Sequence, residues 1–556
     1  MNEFNMKLGK YDSLVEEKLS ELNDQKIISR IWERDHTVWR EDPTEISNRL
    51  GWLDCADVAK TKIDEINEFV EQIKTEGFTH ALLLGMGGSS LAPEVFKKIL
   101  GTETGYLDLS VLDSTHPDQV KSMIEKFDPN KTLFIVSTKS GGTVETISFM
   151  KTFYNQTISS VGKEKVGNHF IAITDPGSGL EQMAKELNFR EIFINDPNIG
   201  GRYSALSLFG LVPVALMGVN LNILLTPVDI AILESKSENN PISKLGVALG
   251  VLANNNVDKV TYILSNKFKP FGAWVEQLIA ESTGKDGKGI LPVEGEEILT
   301  PEEYSRDRVF VYIHTKHDNE NRERVNELIN SEFPVIEIEL NDLDELGAQF
   351  FSWEMATVIA SWVIDIQPYD QPNVEEAKII ARKMMSEYLE NGKLIELTPI
   401  ITDNNIKVYG DVKSESIHEV LPEFLQNIDE GKSYIAIQAY VNMNDEAEKA
   451  LHEFRTKLQK KYKVTTTVGF GPRFLHSTGQ LHKGDAGNGL FIQIVSKNMN
   501  DVNIPDEAGK DGSSVTFGVL LESQALGDRG ALLENNRKII RFDISENIAE
   551  DIVRIF

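Results

Sequence analysis

From Thr79 onward the chain repeats one pattern: a short apolar run, a junction rich in glycine or hydroxyls, then a stretch with helical spacing. The runs THALLLG, LDLSVLD, KTLFIVS, HFIAITD and EIFIND are separated by PEVFKKIL, PDQVKSMIEKF, TISFMKTFYN and LEQMAKEL. Continuous apolar strands alternating with helices predict a parallel sheet with both faces covered. A second series runs from VDKVTYILSN through RVFVYIHT and FPVIEIEL to the long helical stretch NVEEAKIIARKMMSEYLENG. After Lys393 the chain turns polar and loop-like, and then SYIAIQAYV, VTTTVGF, GLFIQIVS and KIIRFDI resume the alternation. The opening segment up to NRLGWLD predicts amphipathic helices without a strand. The expected architecture is α/β: an N-terminal helical arm over 1–55, doubly wound parallel-sheet domains over 56–225 and 226–395, and a further C-terminal α/β domain over 396–556.

Charge narrows the partners. The 57 Lys and Arg against 86 Asp and Glu give a net charge of -29, which argues against a nucleic-acid backbone or an anionic membrane. An anionic ligand would need a locally basic or amide-lined site. The single cysteine, Cys55, excludes an internal disulfide and a cysteine zinc site, and points to a reducing, cytoplasmic setting. MNEFNMKLGKYDS lacks the apolar centre of a leader, and FGLVPVALMGV is too short to span a bilayer.

Two junctions suit an anion. In ALLLGMGGSSLAPEVF, Gly85, Gly87 and Gly88 permit close backbone approach, and Ser89 and Ser90 stand where a helix begins. The same residues also fit a serine-capped turn, or a dinucleotide loop with Asp113 as the ribose acid, although the third glycine of that fingerprint is missing. In VSTKSGGTVETISF, Thr138, Ser140 and Thr143 offer hydroxyls, Gly141 and Gly142 offer amides, and Lys139 adds charge. Donors that surround one dianion suit a terminal phosphate, whereas a solvated turn is the plain alternative.

Other segments supply chemistry. Gly200 and Gly201 precede Arg202, whose guanidinium suits a developing oxyanion, or simply one of the many carboxylates. Gln277 and Glu281, four apart, share a helix face before STGKDGKG, and a carboxylate on a rigid element suits abstraction of a proton from carbon. Gln371 and Lys378, seven apart, predict one helix face, with Lys378 reaching a ring oxygen or staying solvated. In GFGPRFLHSTGQLHKG, His476 and His482 are six apart and so do not make a metal clip, whereas His476, Gln480 and Lys483 would share a face. His476 suits proton transfer between oxygens, or a structural role.

Taken in order, GMGGSSLAP, STKSGGTVET, GGRYSALS, EQLIAESTGK and DQPNVEEAK resemble the glucose-6-phosphate isomerase family, over roughly residues 80 to 380. GPRFLHSTGQLHKG and QALGDRGAL are similar to the isomerase half of the transaldolase/glucose-6-phosphate isomerase fusion; the segment before THALLLG is too short for a transaldolase barrel, so a stand-alone isomerase is expected. The resemblance implies two sugar-isomerase (SIS) domains and interconversion of glucose 6-phosphate and fructose 6-phosphate through a cis-enediolate, without metal or cofactor. It implies phosphate on Ser89, Thr138, Ser140 and Thr143, with Gly88, Lys139 and Gly201 lining the loops. Arg202 would stabilise the enediolate, Gln277 would orient the sugar, Glu281 would move the proton between C2 and C1, and Lys378 beside Gln371 would assist ring opening. One departure is expected. The family's ring-opening histidine follows the E-S-x-G-K motif in a His-Ser-x-x-Gln pattern; here His314 falls inside a strand pattern, and His476-Ser477-Thr478-Gly479-Gln480 carries a similar pattern instead. His476 is therefore expected to be supplied by the C-terminal domain, so that a homodimer is allowed but not required. An aminosugar isomerase and a non-catalytic sugar-phosphate sensor are the alternatives.

Overall fold

The computed structural model describes residues 3–497, 500–545 and 547–556. Strands Asp108–Leu112, His80–Gly85, Thr132–Ser137, Phe170–Thr174 and Glu191–Ile194 lie side by side in that order, all parallel. The chain leaves His80–Gly85 for Asp108–Leu112 and then crosses back to Thr132–Ser137. Their strand order therefore reverses between two neighbours, which opens a crevice at their carboxyl ends. Gly85 pairs with Ser137 at that point, so both hydroxyl-rich loops leave the sheet at its mouth.

In the second sheet Val335–Leu340, Arg308–Thr315, Lys259–Leu264 and Leu291–Val293 run parallel. Glu3–Lys7 joins its edge antiparallel. This strand corrects the expectation of a strand-free N-terminal arm. Phe4 and Met6 pack against the core while Asn5 and Lys7 alternate with them, a period-two signal too short to stand out beside the helix Asp12–Asp24 that follows.

The third sheet holds four parallel strands, Lys538–Ile544, Gly489–Ser496, Tyr434–Tyr440 and Thr465–Phe470. Ile401–Asp403 and Ile406–Tyr409 extend it antiparallel. These two short strands lie in the stretch expected to be loop; Ile401, Ile406 and Val408 supply the apolar contacts that a polar average conceals.

The first two sheets share one core. Helix Leu346–Val363 is buried at every residue but Trp362 and packs between Pro241–Asn254 and Leu221–Ser235. A helix that is apolar all round is stable only inside such a core. The third sheet has a core of its own. Contact between these bodies runs along helices Pro372–Asn391 and Phe517–Glu534, which lie against each other above the mouth of the first sheet. Among the described residues no helix is long and apolar enough to cross a membrane.

Candidate active site

His80–Gly85 ends in the tight turn Gly87–Ser89, and helix Leu91–Leu100 follows. A Cβ on Gly88 would stand 2.0 Å from the Gly201 carbonyl oxygen, so any side chain there would drive the 87–89 and 200–203 loops apart. That contact sets Arg202 beside the crevice. Ser137 donates to the Ser89 carbonyl at 3.2 Å, which ties the first hydroxyl loop to the second. In the second loop the hydroxyls of Thr138 and Thr143 meet at 2.9 Å, and the Gly142 amide donates to Ser140 Oγ at 3.3 Å. Thr143 precedes helix Val144–Val161 without capping it by its side chain. The Thr143 side chain therefore leaves the helix start open toward the crevice, an arrangement that suits an anion.

Lys139 departs from expectation. Its ammonium is held by the Asp175 carboxylate and by the Pro197 carbonyl at 2.7 Å, so it braces the loop from behind and adds no charge to the cradle. Asp113, the candidate ribose acid, is buried and paired with Arg473 at 3.2 Å, which removes the dinucleotide alternative.

Arg202 is buried, and each of its nitrogens has an acceptor. Its Nη1 lies 3.1 Å from Glu281 Oε1 and donates to Gln371 Oε1 at 3.0 Å; Nε donates to Ser282 Oγ at 2.9 Å, and Nη2 to the carbonyls of Pro368 and Asp370 at 2.8 and 3.0 Å. Glu281 lies near the end of helix Phe271–Thr283. Its other oxygen accepts from Gln277 Nε2 at 3.2 Å, and that amide also donates to the His476 carbonyl at 2.7 Å. Gln277 Oε1 is buried with no partner among the described residues. A buried acceptor left open at a crevice is a place for a ligand hydroxyl.

Gln371 does not share a helix face with Lys378. It stands just before helix Pro372–Asn391, in a non-helical conformation, and its amide oxygen accepts from Arg202. Lys378 lies in the second turn and, with Ser140, Thr143, Glu145, His476 and Gln524, lines a cavity of about 420 Å³.

His476 closes the turn Arg473–His476 and precedes helix Gly479–Gly484, so the expected face shared with Gln480 and Lys483 is absent. Gln480 instead bonds Asn373 and the Gly284 carbonyl, and Lys483 is in a fully buried ion pair with Asp528 at 2.5 Å. His476 Nε2 meets Glu145 Oε1 at 3.0 Å, and Gln524 donates to the same oxygen at 2.7 Å. Burial alone would raise the Glu145 carboxyl, but His476, the backbone and Lys378 hold it below its ordinary value. Glu145 is therefore an ionised acceptor that orients an imidazole. Lys285 adds a buried cation 2.8 Å from Asp370; burial and the nearby Arg202 push its pKa down to about 8.

Sequence pattern does not single out Glu145, Gln524 or Lys285. An acid in a first helical turn is ordinary, and only the fold shows that this one faces a histidine 331 residues away.

A family model described as phosphoglucose isomerase matches residues 40–291. The chain is 27% identical to a glucose-6-phosphate isomerase of Campylobacter jejuni, over 61% of this chain and 93% of that protein. It is 25% identical to one from Prochlorococcus marinus, over 75% of this chain and 87% of that protein. Among solved structures, a glucose-6-phosphate isomerase from Chlamydia trachomatis superimposes with a TM-score of 0.60 at 17% identity, over 70% of this chain and 89% of that one, a likeness of fold. The motifs converge on one crevice, the family model covers residues 40–291, and the relatives align along most of their own length: the chain is similar to phosphoglucose isomerases.

Proposed function

We propose that this protein interconverts glucose 6-phosphate and fructose 6-phosphate, as an aldose–ketose isomerase of cytoplasmic glycolysis and gluconeogenesis. The observation that carries it is the Glu281 carboxylate, held between Arg202 at 3.1 Å and Gln277 at 3.2 Å, beside a histidine–carboxylate pair and an open anion cradle. A binding protein has no need of that carboxylate.

The phosphate sits among Ser89, Thr138, Ser140, Thr143 and the Val144–Val161 helix start, with Gly88 and Gly201 allowing the loops to close around it. Lys139 shapes the cradle from outside. His476, oriented by Glu145, passes a proton to the ring oxygen as the C1–O5 bond breaks, the O1 hydroxyl proton passes to solvent as the C1 carbonyl forms, and Lys378 stabilises the charge that develops on the ring oxygen. Gln277 Oε1 takes a sugar hydroxyl. Glu281 then removes the C2 proton, which leaves a cis-enediolate whose negative charge meets the Arg202 guanidinium. A proton passes from O2 to O1 of the enediolate, and the same carboxyl returns its proton to C1, so that C2 becomes the carbonyl of the ketose. Gln371 keeps Arg202 aimed at the enediolate. The domain limits at about residues 55, 225 and 395 divide the work: the first unit binds phosphate, the second carries Glu281 and Lys378, and the third supplies His476. The site needs no second copy of the chain, which leaves a homodimer optional.

The test follows the C2 proton in deuterated water. Glucose 6-phosphate is expected to lose its C2 proton and to yield fructose 6-phosphate, with glucosamine 6-phosphate left unchanged. Conversion of the aminosugar alone would replace the substrate, and binding without exchange would replace the isomerase with a sensor.

A further inference from the structure

The turn that carries His476 begins with Arg473, a charged side chain for which the isomerisation scheme has no use. Arg473 Nη2 pairs with the Glu94 carboxylate in the first turn of helix Leu91–Leu100, and Nη1 lies 3.2 Å from Asp113 Oδ2, just past strand Asp108–Leu112. Asp113 in turn accepts from Ser90 Oγ at 3.4 Å, and that hydroxyl reaches the Gly87 carbonyl at 3.2 Å. Gly87 sits at φ +54°, where a Cβ would lie 3.0 Å from both His476 Cβ and Gln277 Nε2. A closed circuit therefore runs from Arg473 through Asp113, Ser90 and Gly87 back to His476.

The surroundings give this circuit a task. Phe474 anchors one side of the turn against Tyr440. Behind the other side lies a cavity of about 690 Å³, lined by Arg473, Glu94, Phe474, Ser477, Glu276 and Arg455. Packing leaves the turn room to retreat into that space. A guanidinium fork shared by two carboxylates at a site with little exposure resists such a shift in two directions at once, which a single lysine ammonium does not.

We infer that Arg473 is a positioning residue, whose double ion pair to Glu94 and Asp113 presses the His476 turn onto the 87–89 loop and so sets the rate of ring opening. The inference rests on the isomerase reading. It predicts an effect that passes through His476, with a smaller share reaching Glu281 through the Gln277 bond to the His476 carbonyl.

The experiment compares Arg473→Met, Arg473→Lys and the triple variant Glu94→Gln, Asp113→Asn, Arg473→Met with the full-length protein. The triple variant removes all three charges together, so it is the one measured if Arg473→Met alone fails to fold. Anomer interconversion of glucose 6-phosphate, followed by exchange spectroscopy, is expected to fall about tenfold or more in Arg473→Met with KM within about twofold. Arg473→Lys should recover part of the rate. In the His476→Ala background the same substitution should cost less than about twofold more, because both changes act on one step. Undiminished anomer interconversion, or the full loss repeated without His476, would overturn the inference. Hydrogen exchange keeps the clamp apart from the isomerase reading: residues 471–479 should exchange faster in Arg473→Met while 144–161 do not. If the wild-type protein neither isomerises nor anomerises, the isomerase reading falls; unchanged exchange at 471–479 removes the clamp as well.

Discussion

The two ends of the crevice are built by different rules. At the proposed anion end, every group comes from two junctions of one sheet, and Thr138, Ser140 and Thr143 lie within six residues of one another. At the proposed proton-transfer end, Arg202, Gln277 with Glu281, Gln371, Lys378 and His476 come from five segments spread over 275 residues, with Glu145 and Gln524 behind them. A local loop tolerates a lost donor, since others and the helix amides remain. An assembled centre has one group per task, so single substitutions there should cost far more.

The largest break of that comparison is Glu281→Gln. It puts an amide of the same shape as the carboxylate beside Arg202 but has no base, and turnover should fall on the order of a thousandfold or more in a protein that melts normally. His476→Ala comes next, with a loss of about a hundredfold in turnover of the cyclic sugar, read beside the anomer interconversion that the histidine would serve. Thr143→Val, at the other end, should raise KM roughly tenfold or less while kcat stays near the wild-type value. A kcat loss there equal to that of Glu281→Gln would erase the distinction between the two ends.

The smallest effect is on stability. Burial opposes ionisation of Glu94, but Arg473 and Lys98 outweigh it and hold the carboxyl at about 2, below its ordinary value of 4.5. A depressed carboxylate stabilises the fold above the unfolded value and loses that contribution as pH falls through the folded one. The stability difference between wild type and Glu94→Gln should therefore be present at pH 5, at about 2 kcal/mol, and shrink toward pH 2. A difference that is constant with pH would mean that the pair contributes shape and not charge.

The same contrast explains what was legible in the sequence. The strand–loop–helix junctions and the Gln277–Glu281 spacing are local, and they prescribe the parallel strands of all three sheets and much of the crevice. The partners of side chains are not local. Lys139 reads as a cradle cation until Asp175, 36 residues on, is seen to hold it. Gln371 and Lys378 read as one helix face, yet the helix begins one residue after the glutamine. Glu145 became visible only once the C-terminal body brought His476 and Gln524 over the first sheet. Short edge strands such as Glu3–Lys7 escape notice because four or five residues give period two too little weight against a neighbouring helix.

The central claim is that one carboxyl in one chain moves the proton between adjacent carbons. Glucose 6-phosphate carrying deuterium at C2 tests it directly in ordinary water. The wild-type protein is expected to deliver part of that deuterium to C1 of fructose 6-phosphate and to lose the rest to solvent, whereas Glu281→Gln transfers none. Transfer of the label at the wild-type rate by the folded Glu281→Gln protein would contradict the account.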